Sequence, residues 1–245
     1  MLGDLLPTAV DRYNHSRFTH NRLMLMPREG YIHTEDQLWT MRGYHALEDP
    51  DFLRAYDRAV RATGLDYGVR WRVHVMLWSA AQATRAEGVF VECGTGRGLM
   101  ATAICEYLHW TDRPFYLYDT FRPFFPAPDG SQDSGERIAH YADSVQAVAE
   151  NFAQWPGVQL VVGKVPDTLL DTAPVAFLHV DLNYGEAEEA AVRHFWPRLS
   201  PNAVMVFDDY DHPLYPAERQ AARRLALELG FSVLSLPTGQ GIVIR

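Results

Sequence analysis

From Val89 to the end of the chain, short apolar runs alternate with stretches of helical periodicity. Runs such as Val175-Ala176-Phe177-Leu178 are apolar at every position, which is typical of parallel strands covered by helices on both faces. The pattern predicts seven strands, at 89–93, 115–118, 158–162, 175–181, 203–207, 231–236 and 242–244. It predicts helices between them at 99–110, 139–154, 186–198 and 216–229. This alternation indicates an α/β fold with a doubly wound sheet.

The last two predicted strands are joined by the short turn Pro237-Thr238-Gly239-Gln240-Gly241. This turn is too short for a helical crossover, so the two strands should pair as an antiparallel hairpin. The sequence therefore predicts a Rossmann-like, doubly wound sheet of seven strands that ends in an antiparallel hairpin.

The first part of the chain has a different pattern. Asp49-Pro50-Asp51 predicts the start of a helix that runs to about Ala62, and a second helix over 69–85 leads into the first strand. We divide the chain into a mainly helical N-terminal extension, 1–64, and a domain over 65–245. The extension is expected to form an acceptor pocket, a lid or a subunit contact, and the irregular loop at 123–135 is a candidate functional loop.

Composition excludes several classes of protein. The formal net charge is −9, and clustered Lys and Arg, which a nucleic-acid partner requires, are not present in the sequence. The two cysteines, Cys93 and Cys105, do not indicate a disulfide framework. The sequence has no apolar run of membrane-spanning length and no signal-peptide pattern at its start. We therefore expect a cytoplasmic protein with no membrane or nucleic-acid partner.

A glycine-rich turn follows the first predicted strand, in the segment Val91-Glu92-Cys93-Gly94-Thr95-Gly96-Arg97-Gly98. Glycines at alternate positions let the backbone approach a ligand closely. A dinucleotide fingerprint would require glycine at position 99, where the chain has Leu99. The spacing fits S-adenosylmethionine (SAM) better, although a tight strand-to-helix turn without a ligand would show the same glycines.

Acidic residues follow three of the other predicted strands. Asp119-Thr120 ends the second strand, where a carboxylate can accept hydrogen bonds from ribose hydroxyls or cap the next turn. Asp181 ends the fourth strand, and Asp208-Asp209 ends the fifth.

Asp181, Asp208 and Asp209 should converge, with no basic residue near them in sequence, and such a group favours a hard divalent cation such as Mg²⁺. Solvated aspartates or helix caps are the alternative. His179 should point to the same face as Asp181, either to orient a carboxylate or as a core histidine.

Taken together, these motifs resemble the macrocin O-methyltransferase (TylF/MycF-like) family, which are SAM- and metal-dependent class I methyltransferases of natural-product tailoring. The resemblance covers about residue 65 to the C-terminus. The matching residues are Val91, Glu92, Gly94, Arg97 and Gly98; Asp119, Thr120 and Phe121; Ala142, Ser144, Val148, Asn151 and Phe152; Gly163, Asp167, Thr168 and Leu169; Asp181 and Tyr184; and Asp208, Asp209 and Tyr210.

The resemblance implies a role for each site residue. SAM would contact the first turn, the ribose would bind Asp119 and Thr120, and Ser144, Gly163 and Lys164 would border the adenine. The residues implied at the first turn are Glu92, Cys93, Gly94, Thr95, Arg97 and Gly98. Mg²⁺ would be held by Asp181, Asp208 and Asp209, with Asp181 as the first candidate for the general base and His140 as the second.

The chain departs from the family at two places. Asn183 stands where the family usually has a second Asp, and Glu136 stands where it usually has a histidine. The predicted function is SAM- and Mg²⁺-dependent O-methylation of a small molecule, most readily a sugar hydroxyl of a glycoside, natural product or polysaccharide precursor, by a homodimer. The alternatives are a metal-independent N- or O-methyltransferase, a non-catalytic SAM-binding protein and an NAD(P)-dependent dehydrogenase.

Overall fold

The central element of the computed structural model is a mixed β-sheet built from the predicted apolar runs. The structure describes residues 33–35, 38–40, 44–121, 144–172, 174–213 and 215–245. The loop at 123–135, Glu136, His140 and the start of the helix predicted from 139 lie outside these residues, as does most of the segment before residue 44.

Nine strands are present in the described part of the chain. They are β1 (His33–Glu35), β2 (Leu38–Thr40), β3 (Val89–Cys93), β4 (Phe115–Asp119), β5 (Val158–Val162), β6 (Val175–Val180), β7 (Leu199–Phe207), β8 (Leu234–Ser235) and β9 (Gly241–Ile244). β1 and β2 form a separate antiparallel pair. The other seven form one sheet in the order β5-β4-β3-β6-β7-β9-β8.

The sheet has the predicted topology. β5, β4, β3, β6 and β7 are parallel, whereas β9 pairs antiparallel with both β7 and β8. The strand order reverses between β3 and β6, so the carboxyl ends of these strands open a crevice at that edge. The prediction of a doubly wound sheet with a C-terminal antiparallel hairpin is confirmed.

Two strand boundaries differ from the prediction. β7 begins at Leu199, four positions before the predicted start at Ala203, because Leu199 pairs with Val175 ahead of a register shift. Pro201 lacks a backbone N–H donor, so the sequence predicts a break in the strand there. In the structure, Asn202 has a φ of 64°. β8 has only the two residues Leu234–Ser235 of the predicted 231–236.

Six α-helices lie in the described residues. They are α1 (Pro50–Thr63), α2 (Arg70–Ala83), α3 (Leu99–Tyr107), α4 (Val145–Phe152), α5 (Gly185–Phe195) and α6 (Pro216–Leu229). The Asp49 side chain caps α1 by accepting hydrogen bonds from the backbone N–H groups of Asp51 and Phe52, as the sequence predicts. α3 ends three residues before the predicted Trp110, because the backbone turns at His109, whose φ is 51°.

The helices cover both faces of the sheet and create two apolar cores. On one face, Phe52 of α1 and Met76 of α2 belong to a cluster with Phe90 and Phe177 of the sheet. On the other face, Val192 and Phe195 of α5 lie in a cluster with Val91 and Leu178. α1 belongs to the first core although the sequence places it in the N-terminal extension; the boundary at residue 64 stays a prediction. Within the described residues, no helix has the length and apolar character to cross a membrane.

Gly94 is the tightest point of contact between two strand ends. A Cβ at this position would lie 1.6 Å from the carbonyl oxygen of Asp181, and φ is 93°. We predict that Gly94→Ala lowers the free energy of unfolding by about 2–5 kcal/mol, from steric overlap together with left-handed strain. Chemical denaturation measures this loss.

Gly96→Ala is the matched control for this prediction. Gly96 also has a positive φ, 54°, but a Cβ there would meet no described atom within 4 Å. It should cost about 1–2 kcal/mol from strain alone. Equal losses in the two variants would contradict the contact between Gly94 and Asp181.

Candidate active site

The residues predicted to bind a ligand lie at the carboxyl ends of adjacent parallel strands. The glycine turn follows β3, Asp119 ends β4, and Gly163 follows β5. On the other side of β3, Asp181 follows β6 and Asp208-Asp209 follows β7. Backbone hydrogen bonds fix these ends together, with the Asp181 N–H donating to the Cys93 carbonyl and the Asp208 N–H to that of Val180.

The glycine turn has the backbone that its sequence predicts. Gly94, Gly96 and Gly98 all have positive φ, at 93°, 54° and 88°. Gly94 packs on the Asp181 backbone, and a Cβ at Gly98 would lie 2.8 Å from the Phe152 ring. The open side of the turn is at Gly96, so a ligand can approach its backbone there.

Asp119 accepts two backbone hydrogen bonds, one of them from this turn. Its Oδ2 accepts from the Gly96 N–H at 2.7 Å, and its Oδ1 accepts from the Phe121 N–H at 2.8 Å. Each carboxylate oxygen retains acceptor capacity for a further donor. Burial raises the pKa of Asp119, although these hydrogen bonds act in the opposite direction. The carboxylate is therefore preorganised beside the turn.

Four other residues that are predicted to contact SAM lie near this edge of the sheet. Thr120 Oγ1 donates to Asp119 at 3.4 Å, and Arg97 Nη1 donates to the Thr63 carbonyl at 3.2 Å. Cys93 and Thr95 are buried. Their predicted contacts with SAM stay predictions.

The three residues predicted to border the adenine lie just after β5 and just before α4. Gly163 follows β5 and donates its N–H to the Asp119 carbonyl at 2.9 Å, which places it next to the ribose candidate. Lys164 is exposed. Ser144 caps α4 by accepting hydrogen bonds from Gln146 N–H at 3.2 Å and Ala147 N–H at 3.4 Å. The adenine assignment also stays a prediction.

Glu92 forms a buried pair with His179 on the neighbouring strand. The two residues are partners in the β3–β6 register, and Glu92 Oε2 lies 3.0 Å from His179 Nδ1. Burial lowers the pKa of His179, but the nearby carboxylates of Asp208 and Glu92 outweigh it and raise the pKa to about 10. His179 is thus a buried cation between two carboxylates. It is both a core histidine and a residue that orients a carboxylate, the two roles that the sequence leaves open.

The predicted convergence of Asp181 and Asp208 is confirmed. His179, Asp181 and Asp208 each offer one ligand atom, and these atoms lie within 4.8 Å of one another. Burial, followed by the charges of Asp208 and Asp209, raises the pKa of Asp181 well above its usual range. Asn183 Nδ2 donates to Asp181 Oδ1 at 3.3 Å, so an amide donor supports Asp181 where the family usually has another carboxylate.

The basic group that neutralises these carboxylates comes from a distant part of the sequence. Arg72, the third residue of α2, reaches them from 136 residues away in sequence. Its Nη2 lies 2.5 Å from Asp208 Oδ2 and 2.6 Å from Asp209 Oδ1. Burial would raise the pKa of Asp208, but Arg72 and His179 hold it well below the usual range.

Gln240 completes the surroundings of Asp208. Its Nε2 donates to Asp208 Oδ1 at 2.8 Å, and its Oε1 accepts from the Thr238 hydroxyl at 3.0 Å. Gln240 is fully buried in the turn between β8 and β9. The hairpin that ends the sheet therefore also orients a residue of the site.

A hard divalent cation fits the chemistry of these donors. Asp181, Asp208 and Asp209 offer oxygen ligands of the kind that such a cation prefers. Burial, and then the charges of Asp208 and Asp209, raise the pKa of Asp181. His179 is less suited as a ligand because its two ring nitrogens face Glu92 and Asp208. The three aspartates would thus hold Mg²⁺, and Arg72 already binds two of them.

Two buried glutamates extend the acidic cluster. Glu188 and Glu218 are each 3% exposed and lie in the first turns of α5 and α6. Glu188 Oε1 accepts from the Leu182 N–H at 3.3 Å, whereas neither carboxylate oxygen of Glu218 has a partner among the described residues. Burial, and then the charges of Glu188 and Asp209, raise the pKa of Glu218 to about 10.

The sequence carries signals for these missed residues. Arg70 and Arg72 are two positions apart on a helix, which places them on nearly opposite faces, so one of them must turn toward the sheet. Glu218 precedes the buried Ala221 and Ala222 by three and four positions and so shares their face. A charged residue on an apolar helix face is the signal in both cases.

We predict that Glu218→Gln removes a pH dependence of stability. In the native state Glu218 keeps its proton up to about pH 10, whereas in the unfolded chain it loses the proton near its usual pKa. Between these values the native state binds more protons, so its stability falls as pH rises, by up to about 1.4 kcal/mol per pH unit. Melting temperatures of Glu218→Gln should exceed those of the wild type at pH 8.5 and approach them at pH 5.5.

The control for this prediction is Glu186→Gln, because Glu186 lies in the first turn of α5 but is exposed. It should follow the wild type at every pH. Parallel pH profiles of the wild type and Glu218→Gln would contradict a neutral, buried Glu218.

Several solved structures that are similar to this chain are described as O-methyltransferases. NovP, an O-methyltransferase, has 19% sequence identity to this chain and a TM-score of 0.62, with 77% of this chain and 88% of NovP covered. CalS11, a TDP-rhamnose 3′-O-methyltransferase of calicheamicin biosynthesis, has 17% identity and a TM-score of 0.55, covering 80% and 95%. An O-methyltransferase from Bacillus cereus in complex with S-adenosylhomocysteine (SAH) has 14% identity and a TM-score of 0.50, covering 97% of each chain.

These similarities show the class I methyltransferase fold, as predicted. Among curated protein sequences, none matches this chain. Residues 91–210 match a family described as a methyltransferase domain, and this range runs from β3 to the end of the Asp208-Asp209-Tyr210 turn. It therefore includes the glycine turn, Asp119 and the aspartate cluster. The chain therefore has the class I methyltransferase fold, and its residues 91–210 are similar to a methyltransferase domain.

Proposed function

We propose that this enzyme transfers the methyl group of SAM to a hydroxyl oxygen of a small molecule. One observation carries the proposal: the glycine turn and the aspartate cluster are in direct contact, because Gly94 packs on the backbone of Asp181. A donor on the turn and an acceptor at the cluster would then be neighbours. Proximity of this kind supplies much of the rate of a two-substrate reaction.

The donor would lie over the open backbone at Gly96, with its ribose at Asp119. The carboxylate of Asp119 is held in place by Gly96 and Phe121 N–H groups and can accept ribose hydroxyls. Sequence positions Glu92, Cys93, Thr95 and Arg97 surround the same turn. The SAH complex of the similar Bacillus cereus enzyme supports a SAM-type ligand on this fold.

Asp181 is the proposed general base. It lies next to the donor turn, because Gly94 packs on its backbone, and a carboxylate there can accept the proton of a hydroxyl. In the reaction, the acceptor oxygen attacks the sulfonium methyl carbon and the carbon–sulfur bond breaks, which leaves SAH and a methyl ether. The hydroxyl proton passes to Asp181. His140, the second candidate, lies outside the described residues.

Mg²⁺ is part of this proposal, held by Asp181, Asp208 and Asp209. When bound, such an ion lowers the pKa of a coordinated hydroxyl. The support is the excess of buried carboxylates over basic groups around Asp181. The second candidate function is methyl transfer without a metal, and the ion pairs of Arg72 with Asp208 and Asp209 favour it.

A sugar hydroxyl is the proposed acceptor, and the macrocin-type O-methyltransferases are the proposed family. CalS11, which is similar in fold, is described as acting on the sugar of TDP-rhamnose. The carboxylate pattern of Asp181, Asp208 and Asp209 is the one implied by the family resemblance. The homodimer and the cytoplasmic location expected from the sequence belong to the same proposal.

We predict that Asp119→Ala weakens SAM binding by about 10- to 100-fold, because two ribose hydrogen bonds to a charged acceptor are lost. Isothermal titration calorimetry with SAM measures the dissociation constant. Asp112→Ala, at an exposed position before β4, is the matched control and should bind SAM like the wild type. SAM affinity that is the same in both variants would place the ribose elsewhere.

We predict that Asp181→Asn lowers methyl transfer by about 10²- to 10⁴-fold while SAM affinity changes little, because the variant removes a base and not a donor contact. The assay follows SAH formation from isotopically labelled SAM with a panel of nucleotide sugars, glycosides and catechols. Transfer at the wild-type rate by Asp181→Asn would exclude it as the base.

Chelation separates the two candidate functions in the same assay. If a metal takes part, EDTA should abolish SAH formation and excess Mg²⁺ should restore it. Transfer that is indifferent to EDTA supports the metal-independent function and leaves Asp208 and Asp209 in a structural role with Arg72.

A further inference from the structure

Arg72 occupies the position at which the aspartate cluster most needs positive charge. Its side chain is 15% exposed, and its Nη2 contacts three oxygens: Asp208 Oδ2 at 2.5 Å, Asp209 Oδ1 at 2.6 Å and the Asp208 carbonyl at 2.6 Å. The guanidinium comes from α2, outside the strand ends that supply the carboxylates. It therefore bridges two consecutive aspartates from a helix.

The oxygens that Arg72 contacts are those that a divalent cation would need. Asp208 Oδ1 already accepts from Gln240 Nε2 at 2.8 Å and lies 3.7 Å from His179 Nε2. Asp208 Oδ2 and Asp209 Oδ1 are bound to Arg72. Both oxygens of Asp208 are thus engaged, and a cation that takes Asp208 and Asp209 as ligands must either share these oxygens with Arg72 or replace it.

Electrostatics makes this replacement a competition. A guanidinium and a divalent cation on the same two carboxylates repel each other at close range, and partial burial weakens the screening by water. Arg72 also stabilises the cluster when no metal is present, because unpaired buried carboxylates are costly. The same side chain therefore stabilises the metal-free protein and opposes loading of the metal.

We propose that Arg72 is the built-in counter-ion of this cluster, and that a divalent cation binds by displacing its guanidinium from Asp208 and Asp209. Arg72 then sets the cation affinity of the site and keeps the metal-free enzyme folded. This inference rests on the cation site of the proposed function. It concerns Arg72 of α2, which is not one of the proposed metal ligands.

The test is Mn²⁺ binding to the SAM-free protein, measured by isothermal titration calorimetry. Arg72→Gln removes the charge, so Mn²⁺ should bind at least about tenfold more tightly than to the wild type. Arg72→Lys keeps the charge but carries it on a shorter side chain as a compact ammonium group, so its affinity should lie between the two. Arg70→Gln makes the same charge change on α2 at a residue that bonds the Leu47 carbonyl, and it should match the wild type.

Three results would overturn the proposal. They are Mn²⁺ affinity in Arg72→Gln that is equal to or weaker than that of the wild type, an equal gain in Arg70→Gln, and no Mn²⁺ binding in either the wild type or Arg72→Gln. If Arg72→Gln does not fold, Arg72→Lys decides: tighter binding than in the wild type supports the proposal, and equal or weaker binding contradicts it.

SAM titrations on the same proteins separate this inference from the proposed function. Wild-type protein that binds SAM and transfers methyl groups, with no gain of Mn²⁺ affinity in Arg72→Gln, overturns the role of Arg72 alone. Wild-type protein that binds no SAM overturns the proposed function, whereas the Mn²⁺ measurement still reports on Arg72.

Discussion

A row of buried charged side chains crosses the central strands of this protein, and the active-site edge of the sheet depends on it. Glu92 of β3 contacts His179 of β6, His179 faces Asp208 at the end of β7, and Asp208 pairs with Arg72 of α2. Acidic and basic side chains alternate along this row. Each carboxylate is thereby paired with a cation at low solvent exposure, which is the condition under which buried charges are tolerated.

This row of charged side chains connects the two halves of the proposed reaction site. Glu92 lies two residues before Gly94, so the strand that carries the buried pair also delivers the glycine turn. Gly94 in turn packs on Asp181, two residues after His179. A donor on the turn and an acceptor near Asp181 would therefore be positioned by the same three strands, β3, β6 and β7, whose registers the buried pairs help to fix.

The parts of the fold that depend on local patterns could be predicted from the sequence. Apolar runs such as Val175–Val180 predict strands, and the short turn before Gly241 predicts the antiparallel end of the sheet. Asp181 and Asp208 could be brought together because the carboxyl ends of neighbouring parallel strands share one edge. The early start of β7 could not be predicted, since Pro201 and Asn202 are typical of a loop.

The contacts that come from distant parts of the chain could not be predicted in this way. Arg72 lies on a helix before the first parallel strand, and Gln240 lies in the last turn, yet both bind Asp208. Strand-end reasoning identifies which carboxylates converge, but it does not show what neutralises them. That depends on helix packing, which brings a guanidinium and two buried glutamates to the cluster.

The most direct test of this account is an anomalous diffraction map of crystals grown with SAH and Mn²⁺. The account predicts SAH on the Gly94–Gly98 turn, a manganese peak among Asp181, Asp208 and Asp209, and the Arg72 guanidinium moved away from Asp208 Oδ2. A map with SAH in place, no manganese peak and Arg72 still bridging Asp208 and Asp209 would contradict it.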